Sequence, residues 1–241
     1  AKSDAFVVYN NGNATLAGNL TVSGTINGAG VGVLSSVDEN SKTGARLSTA
    51  VAANHGDIGD NAIDLSYSSS VSTTKGATGD NSIATGNSTI ASGINSTAMG
   101  GSATASAYNS TAMGSATTAS SYASTAMGEM TVASSYASTA MGSATTASSS
   151  ASTAMGDRTA ASGSASTAMG QTTTASGSAS TAMGASTTAS DYASLSIGQF
   201  NSVNSTATTV NSPWAFDTDN AALVIGNGTG SSAKSDAFVV Y

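Results

Sequence analysis

Ser96-Thr97-Ala98-Met99-Gly100 returns along the chain with its Gly at 114, 128, 142, 156, 170 and 184, and a degenerate copy, Ser194-Leu195-Ser196-Ile197-Gly198, closes the series. The period is 14 residues without one insertion. Weaker copies lie halfway between, as in Thr117-Thr118-Ala119-Ser120 and Thr173-Thr174-Ala175-Ser176, and an Ala recurs every seven residues from Ala77 to Ala189. Each unit is therefore two seven-residue halves, each supplying one short strand and one tight turn. A coiled-coil heptad requires large apolar residues at two positions with charged flanks, whereas this tract is Thr, Ser and Gly with almost no charge. The helical reading fails.

Read as a strand, Ser-Thr-Ala-Met-Gly puts Ser, Ala and Gly on one side and Thr and Met on the other. The small set is expected inside each coil, with Ala84, Ala98, Ala112, Ala126, Ala140, Ala154, Ala168 and Ala182 as its interior column. The outside then differs between the two halves. One carries Met99, Met113, Met127, Met141, Met155, Met169, Met183 and Ile197 in a single file. The other carries Thr104, Thr118, Thr146, Thr174 and Thr188 beside Ser106, Ser120, Ser134, Ser148, Ser162, Ser176 and Ser190, a hydroxyl face open to solvent. At ~4.8 Å per coil the Met file is a stripe about 40 Å long. Burying a Met is worth ~1.5–3 kcal/mol, so a stripe without an internal partner predicts self-association, and a trimer closes naturally around a flat-sided prism. The fold expected is all-β, a homotrimeric parallel β-roll.

Composition narrows the function. Of 241 residues only 8% are charged and 5% aromatic, so a conventional oily core is excluded and any interior is thin. A net charge of −7 disfavours nucleic acid and anionic membrane as partners. With no cysteine there is no disulfide, thiolate ligand or thiol nucleophile. No apolar run reaches the ~18–20 residues of a membrane span, and no signal peptide opens the sequence. Ala1–Tyr9 and Ala233–Tyr241 both read AKSDAFVVY. Either the two ends overlap or the chain is one period of a tandem array, the reading favoured here.

Asn81-Ser82-Ile83-Ala84-Thr85-Gly86, Ser96-Thr97-Ala98-Met99-Gly100 and their successors resemble the head repeats of trimeric autotransporter adhesins of the YadA-like type. The resemblance covers about Ala77 to Gly198, and Met stands where that family usually has Val or Ile beside the Gly. It implies a left-handed parallel β-roll, three chains around one axis and a place at the end of a bacterial surface fibre. The segment from Trp214 through Leu223-Val224-Ile225-Gly226-Asn227-Gly228-Thr229 to Val240, and Tyr9 through Gly24, are similar to intertwined necks of phage tail fibres and bacterial surface fibres.

The expected organisation is a β neck at 1–30, a connector at 31–76, the roll at 77–198, a cap or neck at 199–232 and the start of the next repeat at 233–241. Leu47 to Asn54 reads as two helical turns. Asp57, Asp60 and Asp64 are weak calcium candidates that match neither the spacing of an EF-hand loop nor the Gly-Gly-x-Gly-x-Asp repeat of calcium β-rolls, and no metal is expected. His55, the single histidine, reads as a loop residue, and Asp217 and Asp219 beside Trp214 as cap and turn groups. Phosphate-binding loops and zinc motifs are absent, so no cofactor and no catalytic residue are expected. Seven Asn-x-Ser/Thr matches, Asn87, Asn95 and Asn109 among them, are incidental in so hydroxyl-rich a chain. The function expected is a structural and adhesive module of an extracellular fibre at the bacterial cell surface. Its partners would be itself, adjacent tandem modules and host, cell-surface or matrix receptors. A phage tail-fibre shaft and an ice-binding β-roll are the alternatives.

Overall fold

The computed structural model describes residues 34–202 and 220–241. The neck expected at 1–30, Trp214, Asp217 and Asp219 lie outside them. The described chain is an all-β solenoid of about 11 coils. One side is a 14-stranded sheet and the other a nine-stranded sheet. Within a coil, a five-residue long strand such as Thr125–Glu129 is followed by a corner, the two-residue short strand Val132–Ala133, and a turn back. Long strands pair in parallel at zero offset, Ala126 with Ala112 and Ala140, Met127 with Met113 and Met141. The turns stack in the same way, Met130 N–H donating to Ser115 O at 2.8 Å and Ala137 N–H to Tyr122 O at 2.9 Å. Every residue of a coil thus has its counterpart directly above and below.

Because strands of one coil are separated by little more than two methyl groups, the interior is made of small side chains. Each repeat contributes four fully buried residues, in one coil Ser124, Ala126, Thr131 and Ala133. Ala84, Ala98, Ala112, Ala126, Ala140, Ala154, Ala168 and Ala182 are all at 0% exposure. The inward placement expected for Gly is corrected. Gly128 sits at the corner with φ +119° and is exposed, and a Cβ there would lie 2.0 Å from Gly142 O. Only glycine allows successive corners to stack this closely. Its place inside is taken by a threonine file, Thr117, Thr131, Thr145, Thr159, Thr173 and Thr187, at 1% exposure or less. Their hydroxyls find no partner among the described residues, so the file serves through its branched shape.

The long sheet runs past both ends of the repeat tract. Leu34–Glu39 and Lys42–Leu47 form an antiparallel hairpin, joined by Asn40 and Ser41 at φ 51° and 64°, the pair of left-handed residues a two-residue turn of matching twist requires. Lys42–Leu47 then pairs with Ile63–Tyr67, which pairs with Ile83–Asn87, so the 31–76 connector carries strands of the roll's own sheet. The helix expected at Leu47 to Asn54 reduces to a 3-10 turn at Ala52–Asn54, because Leu47 is held in the hairpin. Beyond Gly198, Leu223–Asn227 adds in parallel to Leu195–Gln199, and Asp236–Val240 closes the sheet antiparallel to it.

Both ends of the short sheet are blocked. Gly56 N–H donates to Lys75 O and Gly59 N–H to Ala77 O, while Ile58, at 0% exposure, plugs the first coil. At the far end the Asn201 side chain imitates a strand: its Oδ1 accepts from Thr188 N–H at 2.8 Å and its Nδ2 donates to Thr188 O at 2.9 Å. Open sheet edges invite pairing with other chains, and these contacts remove them.

Two outcomes follow from the columns. Ala126→Leu forces three carbons into a filled interior and should cost about 1–3 kcal/mol or abolish folding, whereas Thr118→Leu, on the outside, should stay within about 0.5 kcal/mol. Thermal melts compare them. Asn81, Asn95 and Asn109 occupy the turn position that is Ala at 123, 137, 151 and 165, all with φ between 50° and 57°. Asn tolerates that conformation better than Ala, so replacing those four alanines by Asn should stabilise the fold by about 0.5–1 kcal/mol per site, read as a raised melting temperature.

Candidate functional site

The outward face of the long sheet carries two files. Met99, Met113, Met127, Met141, Met155, Met169, Met183 and Ile197 form the first, continued by Ile225 and Phe238 through the pairs Ile197–Ile225 and Ile225–Phe238. Beside it runs a second file, whose threonines the sequence places outward with Met but whose apolar ends sequence reading missed: Ile63, Ile83, six threonines from Thr97 to Thr167, then Thr181, Leu195, Leu223 and Val240. Its middle is threonine, whose methyl group hides the file in a pattern read for apolar residues. Nothing among the described residues covers either file. Met99 is 36% exposed, Ile63 38% and Phe238 52%, and Met113 through Met183 are half-buried only by their stacked neighbours. An apolar face of this length on so thin a core is the largest unmet hydrophobic demand among the described residues.

The opposite face differs in kind. Thr104, Thr118, Thr146, Thr174 and Thr188 point outward from the short strands, half-exposed, with Ser106, Ser120, Ser134, Ser148 and Ser162 exposed beside them. Ile90, Val132 and Ala160 interrupt the Thr file, and a two-residue strand offers one outward side chain per coil. At the turn, Tyr108, Tyr122 and Tyr136 stack with ring centroids 5.4 Å apart and planes within 7°. Sequence reading missed this ladder, and the signal that marks it is the 14-residue spacing of the three tyrosines.

At the opening end the structure brings together residues that no periodicity links. Arg46, 3% exposed, donates Nη1 and Nη2 to Glu39 at 2.9 and 3.2 Å, Nη2 to Gly56 O at 2.8 Å, and Nε to Asp64 at 3.3 Å. His55, read from sequence as a loop residue, is buried with Nδ1 3.0 Å from Asp64 Oδ2. Ser66 Oγ donates to Asp64 Oδ1 at 2.6 Å and lies 3.4 Å from the same His55 nitrogen. A nucleophilic triad needs the carboxylate and the hydroxyl on opposite ring nitrogens. Here both face Nδ1, so the trio is a packed polar cluster with no relay. The three aspartates do not converge on a metal site: Asp57 accepts from Asn40, Asp60 from Thr43 N–H at 3.4 Å, and Asp64 is engaged by Arg46, His55 and Ser66. No group of metal-binding side chains occurs among the described residues.

Seven matches to the model of the YadA head domain repeat, the first at 77–89 and the last at 175–201, follow this ladder of coils. The chain belongs to the YadA head repeat family. It is therefore an adhesin-type head module of the trimeric autotransporter class, whose members are surface-exposed, form homotrimers and bind host receptors. No curated protein matches the chain. No helix among the described residues is long and apolar enough to cross a membrane. Set against the head repeats, the opening cluster is the part of this YadA-type chain with the densest charge, and its chemistry is closure of the first coil.

Two carboxylates there are perturbed. Burial pushes Glu39 up, but the Arg46 guanidinium and the Ile58 N–H outweigh it and hold the carboxyl below its ordinary 4.5. The Lys42 ammonium at 2.7 Å and the Asp60 N–H hold Asp80 below 3.8. A carboxyl depressed in the folded state adds stability above its unfolded value and loses it as pH falls through the folded one. Acidification below about pH 4.5 should therefore loosen residues 39–64 before the repeat tract, read as earlier amide exchange in that segment. Glu39→Gln should show the loosening already at pH 7.

Proposed function

We propose that this chain is a structural and adhesive module of a homotrimeric extracellular fibre, acting by multivalent surface contact. The observation that carries the proposal is the uncovered double file of Met, Ile, Leu, Thr and Phe along the long sheet from Ile63 onward. Three such faces turned toward one axis bury each other, and a parallel arrangement keeps every coil level with its symmetry mates, so Met127 meets the Met127 of each partner. At ~1.5–3 kcal/mol per buried Met the gain exceeds the usual stability of a domain, which explains how so thin a roll persists.

With the apolar faces turned inward, the hydroxyl faces and the Tyr108–Tyr136 ladder turn outward in three copies. Each contact is weak, and the trimer presents it three times at fixed spacing, which multiplies binding without any deep pocket. A groove of about 190 Å³ beside the opening cluster is lined by Leu47, His55, Ser66 and Tyr67. It contains no group poised for chemistry. Ice binding, which needs an unbroken flat array, is disfavoured by the interrupted Thr file.

Replacing Met127, Met141 and Met155 by Asp places a carboxylate cluster on the axis with no counter-charge and should dissociate the assembly or prevent folding. Light scattering of the unchanged chain should give three times its 23.0 kDa mass. A monomer would remove the proposal.

A further inference from the structure

The closing strand Asp236–Val240 is held by contacts that read its sequence. Its backbone pairs with Leu223–Asn227, Val240 opposite Leu223, Val239 opposite Val224 and Phe238 opposite Ile225, and Ala222 N–H donates to Val240 O at 2.7 Å. Two polar side chains then fix the register. Asp236 accepts from Ser202 N–H at 2.9 Å and from the Ser202 hydroxyl, and Ser235 donates its hydroxyl to Asn227 while its N–H donates to Phe200 O at 3.1 Å. A register shift between Ile225 and Gly226 lets both anchors reach. Slipping the strand by one residue would lose the anchors and turn Phe238 and Val240 from the apolar file to the other face. The seat therefore recognises Ser-Asp-x-Phe-Val-Val.

That string occurs twice in the chain, at Ser235–Val240 and, within an identical nonapeptide, at Ser3–Val8. We propose that Ala1–Tyr9 is a capping strand for another copy of this roll, and that it docks on that copy's Leu223–Asn227 in the register that Asp236–Val240 takes here. The nonapeptide then belongs structurally to the roll preceding it, with its Phe and Val side chains extending that roll's apolar files. In a tandem array each nonapeptide would seal one roll and begin the next module, so the joint is a shared strand and not a flexible linker. The occupant is thus a second copy of the same chain. The proposal deepens the fibre reading but is separable from it, since capture of a strand requires no trimer.

A chain ending at Ser232 has the seat without its strand. The labelled synthetic peptide AKSDAFVVY should bind it saturably, one per chain, and restore the melting temperature lost on truncation. A peptide carrying S3A and D4A should bind at least about tenfold more weakly, having lost the charge-assisted anchors. Mixed with the truncated chain, the full-length protein should form end-to-end assemblies in mass photometry, and the same protein lacking residues 1–9 should form none. If truncation costs solubility, the peptide comparison is made on the full chain with Asp236→Ala, whose own strand is loosened, by amide exchange at residues 223–227. Absence of peptide binding, equal binding of the S3A/D4A peptide, or assemblies that persist without residues 1–9 would overturn the proposal.

Discussion

Everything in this molecule depends on the zero-offset stacking of one coil on the next. Parallel pairing at every strand of the repeat tract, together with hydrogen bonds between equivalent turn residues, commits each position there to a column. A column tolerates what fits its own copies at ~4.8 Å and little else. Interior columns accept Ser, Ala and Thr, since the facing strands leave no room for more. The corner accepts Gly alone, because a side chain would strike the carbonyl one coil away. Low complexity is thus the signature of a tightly constrained solenoid, where in other settings it marks disorder.

The same repetition explains what was legible. The 14-residue period and the outward file of Met99 to Ile197 could be read directly, because a file of identical residues in a stacked solenoid is identical in sequence at a fixed interval. The placement of Gly128 and Thr131 could not. Strict alternation carried through the Gly puts it inside, but the chain bends there with φ +119° and again at Met130 with φ 51°, and the bend resets which residues face inward. Alternation is a property of straight strands and fails at corners. The cluster of Arg46, Glu39, Asp64 and His55 was illegible for another reason: it forms around the opening mouth of the solenoid, where nothing repeats.

Solenoids must also end, and the two ends solve that problem differently. The opening end uses a hairpin, the Ile58 plug and a buried ion network, whose value lies in satisfying Asp64 and Arg46 once they are enclosed. The closing end uses the Asn201 amide on the short sheet and an antiparallel strand on the long one. Neither device covers the apolar outward face, which the closing strand extends through Phe238 and Val240, and association is left as the way to bury it.

Met130 makes that claim directly measurable, since it is the one methionine off the outward file, at a turn and 53% exposed. Exposed methionine is oxidised to sulfoxide by mild peroxide, and burial protects it. Peptide mass spectrometry of the native protein after graded oxidation should show Met130 modified well before Met113, Met127, Met141, Met155 and Met169, with the difference lost on unfolding. Oxidation of the file at the same rate as Met130 in the folded protein would mean that the face is open to water, and would contradict the account.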